Sequence, residues 1–375
     1  MVKYIYKEFK SVLNKLKYPD SWFWSRYTLN PYSGCAHACI YCDARSSRYY
    51  LENFENEVVI KTNFDKQLDQ ILKKSRTLLT DIIAPGGVND AYQPIEKKIE
   101  HTRKIFKVIA KHEYPINIAT KSSLVTRDID ILKKIANDTW CTVGFSITTT
   151  NQELASFLEP YSSSPSERLE ALKMIKKEAP EVQVGTYFIP IIPFLEDNDE
   201  NLEEIFKQTK QAGADFILVS PGLTMRDQQA EYFIRKLKNS DYQHVVKPLL
   251  ELYKGQMHPP KDYSQKMHLK LFNLANEYKL PLRLRRWIPN DFRQYNYKIS
   301  EILLNKEYLD SIKKGKSDTT LKWAGLKLNN LKDSILNIYK NGKINELEGF
   351  YKKEIEFIVP YLENIEKKTN LDKFL

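Results

Sequence analysis

Between residues 25 and 225 the chain alternates short apolar runs with longer stretches whose apolar positions recur every three to four residues. Short apolar or alternating runs read as strands, and stripes of 3.6-residue period read as helices. Strands are expected at 25–29, 80–84, 116–120, 141–148, 182–189 and 216–220. Between them, Phe64, Leu68, Ile71 and Leu72, or Ile131, Leu132 and Ile135, lay an apolar stripe along one helix face. Strand followed by helix, six times, predicts a parallel α/β sheet, and specifically an open, partial (β/α)6 version of the eightfold barrel. The fourth strand sets Cys141, Val143, Phe145 and Ile147 against Thr142, Gly144, Ser146 and Thr148. A helix-covered outer face and a ligand-lined inner face would produce that contrast, aiming Ser146 and Thr148 at a bound nucleoside.

Beyond residue 225 the pattern turns helical and more charged, with helices expected over 231–238, 245–253 and 263–279 and a stop at Lys254-Gly255. The run Leu282-Arg283-Leu284-Arg285-Arg286-Trp287 alternates apolar and basic residues. As a closing strand it would present Arg283 and Arg285 on one face, for phosphates, beside Trp287 for stacking. The expected organisation is an N-terminal extension (1–24), a core barrel (25–225), a helical continuation (226–298) and a lysine-rich helical appendage (299–375) that includes the stripe Leu328, Leu331, Ile335 and Ile338.

Composition changes this picture in two ways. The 58 Lys and Arg against 48 Asp and Glu leave a net charge of +10, which favours a polyanionic partner. With four cysteines in 375 residues there is no disulfide framework, and the chain starts without an apolar leader, so a cytoplasmic protein is expected.

Three of those cysteines, Cys35, Cys39 and Cys42, fall in one loop of spacing C-x3-C-x2-C directly after the first strand. Three thiolates at that spacing suit one soft inorganic centre, and on a four-iron cluster they leave one iron open. Barrel chemistry gathers at the carboxyl ends of the strands. There the second strand runs into Gly86-Gly87-Val88-Asn89-Asp90, whose paired glycines let the backbone approach a ligand, and the third runs into Lys121. Further on, Glu159-Pro160 and Ser164-Pro165 lead into a helix that Ser164 or Ser166 can cap.

The cysteine loop resembles that of radical S-adenosylmethionine (SAM) enzymes. Gly87-Val88-Asn89-Asp90, Thr120-Lys121, Phe145-Ser146, Glu159-Pro160 with Pro165 and Arg168, and Ile189-Pro190-Ile191-Ile192-Pro193 are similar, in order, to the motifs of its spore photoproduct lyase branch. That resemblance implies a 4Fe-4S cluster on Cys35, Cys39 and Cys42, and SAM on the open iron. It implies Lys121 at the SAM carboxylate, Ser146 at its ribose, Asn89 and Asp90 as further SAM contacts, and Glu159 and Arg168 framing the pocket. A reductant such as ferredoxin or flavodoxin would deliver an electron, SAM would split to a 5′-deoxyadenosyl radical, and that radical would take hydrogen from substrate, a nucleic-acid lesion by analogy.

One position departs from the family pattern. Spore photoproduct lyases carry a hydrogen-donating cysteine after the second strand, where this chain has Gly87. Cys141, at the start of the fourth strand, would sit roughly 20 Å from its top at about 3.3 Å per residue, and reads as a structural thiol. The competing expectation is a non-catalytic nucleic-acid-binding protein in which zinc, held by the three cysteines and His37, staples the loop.

Overall fold

The computed structural model describes residues 2–51, 53–54, 56–75 and 77–371; residues 1, 52, 55, 76 and 372–375, the last four closing the 299–375 appendage, lie outside the described residues. The chain forms two compact units, Met1–Lys15 with Tyr27–Leu284, and Leu16–Arg26 with Arg285–Leu375.

Among the described residues the first unit holds ten strands: β1 (Lys3–Glu8), β2 (Asn14–Lys15), β3 (Tyr27–Leu29), β4 (Tyr32–Ser33), β5 (Glu57–Thr62), β6 (Ile83–Pro85), β7 (Ile116–Thr120), β8 (Cys141–Ser146), β9 (Gln183–Ile191) and β10 (Phe216–Pro221). Seven form one sheet in the order β10-β9-β8-β7-β6-β3-β2. Its six strands from β3 to β10 pair in parallel, while β2 runs antiparallel to β3. These six are the expected strands, and they lie in chain order across the sheet, as a partial barrel requires. The crossover helices Phe64–Lys74, His101–Lys111, Ile129–Asp138, Pro165–Glu178 and Asp199–Gln211 join them. Both expected stripes face inward: Phe64, Leu68 and Leu72 are buried, as are Ile131, Leu132 and Ile135.

The helix Pro165–Glu178 starts where its sequence dictates. Glu167 N–H donates to Ser164 Oγ at 3.2 Å, and Ser164 N–H donates back to Glu167 Oε2 at 2.7 Å, with Pro165 in the first turn. On the inner face of β8, Gly144 leaves the space that the Tyr187 ring fills, and Tyr187 Oη donates to Asn117 Oδ1 at 2.8 Å.

A second, three-stranded sheet, β1-β5-β4, has no counterpart in the expected elements. It draws residues 3–8 of the N-terminal extension into the first unit, parallel to β5, and places β4 immediately before the cysteine loop. No closing strand forms at Leu282–Trp287. Leu282 and Leu284 are buried, yet the run bends at 282–283 and makes no ladder among the described residues; its approach is tied to β10 through Ile217 N–H and Pro281 O at 2.9 Å.

The second unit is helical, with Gln294–Lys314, Thr319–Leu328, Ile335–Lys340 and Lys352–Leu371 around a core that includes Leu303, Leu328, Ile335 and Leu362. The stripe from Leu328 to Ile338 is broken across two helices because Ser334 caps the second, accepting from Leu336 N–H at 3.3 Å. Arg286, from the basic run, is a core side chain here: it is 3 % exposed, stacks 3.8 Å from the Tyr297 ring and donates to Ser300 Oγ at 3.1 Å. Among the described residues no helix is long and apolar enough to cross a membrane.

Candidate active site

The cysteine loop leaves β4 through Gly34, whose φ is +83°. An added Cβ would stand 2.4 Å from Glu57 O, so glycine alone lets the turn pass against β5. Side chains from distant parts of the chain then hold the loop by its backbone. Ala36 N–H donates to Gln93 Oε1 at 2.9 Å, Gln229 Nε2 donates to Tyr41 O at 3.1 Å, and His37 Nδ1 donates to Tyr161 O at 2.9 Å. Arg45 donates to both Ala38 O and Cys39 O at 2.9 Å, with its guanidinium 3.9 Å from the Tyr232 ring and 5.0 Å from that of Phe54. A fork donating to two carbonyls, packed between two rings, fixes a loop far better than a lone ammonium would.

So held, Cys35, Cys39 and Cys42 border one cavity of about 220 Å³. The strand ends supply the rest of its wall: Gly86 and Gly87 with Asn89 and Asp90 after β6, Lys121 after β7, and Ser146 closing β8. Gly86 has a φ of +81°, and an added Cβ would stand 2.7 Å from Asn89 O. At Gly87 the space is open, the nearest atom to an added Cβ being Asn30 Oδ1 at 3.9 Å. Burial pushes the thiol of Cys35 well above its ordinary value and that of Cys39 up to about 12; Cys42 rises for the same reason. Metal ligation would displace those protons.

Asp90 is the hub of the wall. Its Oδ1 accepts from Tyr92 N–H at 2.8 Å and Thr120 Oγ1 at 2.9 Å, and its Oδ2 accepts from Lys121 N–H at 2.7 Å and faces His37 Nε2 at 3.4 Å. Burial alone would raise its pKa; His37 and the backbone donors hold it down to about 2. Asn89 donates from Nδ2 to Tyr32 O at 3.0 Å, which leaves its buried Oδ1 without a partner in the cavity wall.

Behind Lys121 lies a buried carboxylate shared among three groups. Glu159 accepts from Tyr41 Oη and from Arg168 Nη2, and Lys121 Nζ stands 3.8 Å from its Oε1. Burial would raise the Glu159 carboxyl, but the two cations hold it below its ordinary value; burial would lower Lys121, but Glu159 holds it above. Lys121 and Arg168 share this carboxylate, and Lys121 is the one of the two that lines the cavity. Arg168 also donates to Ser163 O at 2.8 Å and Ser146 O at 2.6 Å, so it joins the β8 end to the following loop. Replacing it, as Arg168→Met, leaves the buried Glu159 carboxylate only Tyr41 and the more distant Lys121, and a loss of about 3 kcal/mol of unfolding free energy is expected in denaturant titration. A loss below about 1 kcal/mol would refute the pair as a tertiary tie.

Glu159 and Arg168 thus stand behind the cavity wall rather than in it. Thr148 stands apart from it: β8 ends at Ser146, alternation does not carry past that point, and Thr148 is buried beside Glu196, its carbonyl accepting from Asn201 Nδ2 at 3.0 Å. Cys141 is buried at the start of β8. Sequence reasoning missed Arg45, Gln93 and Gln229. Only Arg45, three residues past Cys42, gave any local signal. Among the described residues no three His, Cys, Asp or Glu side chains converge on a point that would hold one metal ion. A single ion needs its ligands to meet there, whereas a cluster takes each thiolate on a different iron and asks only that they border one cavity.

A family model for the radical SAM superfamily matches residues 29–209, and an uncharacterized protein of Methanocaldococcus jannaschii is 34% identical over 203 residues, 54% of this chain and 71% of that protein. The chain belongs to the radical SAM superfamily. The match spans the cysteine loop and the strands from β3 to β9 of this radical SAM protein. An uncharacterized protein of Mycobacterium tuberculosis is 29% identical over 276 residues, 72% of this chain and 79% of its own length. Among solved structures, a spore photoproduct lyase variant superimposes with a TM-score of 0.56 at 13% identity over 73% of this chain and 79% of that one. Spore photoproduct lyase complexed with a dinucleoside spore photoproduct superimposes at 0.53 and 15% identity, over 73% and 78% of the two chains. The lyase and this radical SAM protein share their fold.

Proposed function

We propose that this protein is a radical SAM enzyme that binds a 4Fe-4S cluster on Cys35, Cys39 and Cys42 and acts on a nucleic-acid lesion. The observation that carries the reading is the cavity bordered by those three thiols, by Lys121 and by Asn89, whose buried Oδ1 has no partner. Thiols suit iron, a cation in the cavity wall suits a carboxylate, and an unpartnered acceptor suits an ammonium, which together are the donor set that SAM and an open iron would need. When bound, the cluster supplies the electron that splits SAM into methionine and a 5′-deoxyadenosyl radical able to take hydrogen from substrate.

Each protein group then has its own task. Lys121 neutralises the SAM carboxylate, Asn89 accepts from its amino group, Ser146 meets the ribose, and the Gly86-Gly87 backbone lets the ligand lie close. Asp90 and the Glu159–Arg168 pair position Lys121 and the strand ends and exclude water from the cavity. A nucleic-acid substrate is supported by the fold shared with a lyase that binds a dinucleoside lesion and by the net charge of +10. The hydrogen-return step differs from that of the lyases, because Gly87 stands at the donor position and Cys141 is buried at the far end of β8.

The test is anaerobic reconstitution with iron and sulfide, followed by dithionite and SAM, with 5′-deoxyadenosine assayed and iron and zinc counted in one sample. About four irons per chain and deoxyadenosine are expected. Zinc without cleavage would overturn the reading.

A further inference from the structure

The cysteine loop has two sides, and the second side carries a groove. Cys35, Cys39 and Cys42 border the cavity described above, whereas Ala36, Ala38 and Ile40 of the same loop form part of a separate groove of about 600 Å³. One thickness of backbone divides the two. Phe157, Tyr161 and Tyr232 wall the groove, and the Tyr161 side of it is open, that residue being 65% exposed. Lys236 is its charged lining residue, and no Asp or Glu lines it among the described residues. Lys236 belongs to the last turn of the helix Asp227–Lys238, which also carries Arg235 and Lys238. Arg45 connects the sides: its guanidinium stacks on Tyr232 in the groove wall and donates to Cys39 O on the loop.

We propose that this groove is the docking surface of a small acidic one-electron carrier protein. The inference rests on the proposed function, since a cluster that splits SAM must be reduced from outside. The carrier gives up one electron and the cluster gains it, with no bond made or broken. Substrate is proposed to enter on the SAM side, at the strand ends, so a carrier seated in the groove on the other side of the loop delivers its electron without competing with substrate. The small side chains of Ala36 and Ala38 let it come close, and an aromatic floor whose lining carries Lys236 and no carboxylate matches the modest, electrostatically steered interfaces of electron-transfer partners.

The experiment uses the full reconstituted chain, with purified reduced flavodoxin and, separately, dithionite as electron sources at low ionic strength. Two variants are compared with the unaltered protein: Arg235→Glu with Lys236→Glu, which reverses the edge, and Ser156→Trp, which fills the groove from an exposed helix position. The flavodoxin concentration for half-maximal deoxyadenosine formation is expected to rise about tenfold or more in both, with the dithionite-driven rate unchanged. Variants that accept electrons from flavodoxin as well as the unaltered protein does would overturn the proposal.

A binding titration of oxidised flavodoxin reads docking without turnover. Lost binding in the variants supports the surface, and equal binding overturns it even if the dithionite rate has fallen. If the unaltered protein forms no deoxyadenosine with dithionite, the proposed function fails, and this titration still decides whether the groove binds the carrier.

Discussion

Cys39→Ala is expected to reduce the iron retained after anaerobic reconstitution from about four per chain to background, and to abolish deoxyadenosine formation. The loop itself should survive the change. Its course is fixed by backbone bonds that do not involve the sulfur: Arg45 to the carbonyls of residues 38 and 39, Gln93 to Ala36 N–H, and Gln229 to Tyr41 O. Alanine already occupies positions 36 and 38 of the same loop. What is lost is one of three anionic ligands, and two thiolates cannot hold a four-iron cluster against solvent and chelators. Cys141→Ala is the control, because that buried thiol starts β8 and borders no part of the cavity; it should retain full iron. A Cys39→Ala protein with complete iron and normal SAM cleavage would refute the ligand assignment.

Lys121→Ala is expected to weaken SAM binding by about 10- to 100-fold while leaving the iron content unchanged, as read by equilibrium binding and metal analysis on the same preparation. The backbone at this position keeps its bonds, Lys121 N–H to Asp90 Oδ2 and Ser163 N–H to Lys121 O at 3.1 Å, so the cavity wall should stand. The Glu159 carboxylate keeps Arg168 and Tyr41. What disappears is the cation that lines the cavity, and with it the counter-charge for an incoming carboxylate. An unchanged affinity for SAM would sink this role.

These outcomes depend on elements of unequal legibility. The cysteine motif could be read directly because its three residues lie within eight positions of one loop, and the spacing itself carries the chemistry. The six parallel strands were legible for a similar reason: each is a short apolar run between amphipathic helices, and buried parallel strands leave that signature. The β1-β5-β4 sheet was not, because Lys3–Glu8 is a mostly exposed edge strand with a charged sequence, and its partner lies about fifty residues away. The closing strand expected at 282–287 failed for the opposite reason. Alternation predicted a strand, but a strand also needs a free edge to pair with, and alternation says nothing about one.

The candidate site shows the same division. Strand ends and the glycine pair located Gly86, Gly87, Asn89, Asp90, Lys121 and Ser146, and the cavity gathers all six with the cysteines. Extending the β8 alternation to Thr148 was an error of length, since the strand ends two residues earlier. Glu159 and Arg168 are paired, but behind the wall. By itself, then, the sequence determined the cysteine loop, the order of the parallel strands and the strand-end residues, all of them consequences of local spacing and periodicity. Tertiary structure alone decided which side chains hold the loop and how the buried charges pair. Gln93 reaches across 57 residues to Ala36 and Gln229 across 188 to Tyr41, and Lys121, Glu159 and Arg168 come from three different segments. Hydrogen bonds and charge balance of that kind are set by distances in space, on which separation along the chain places no constraint.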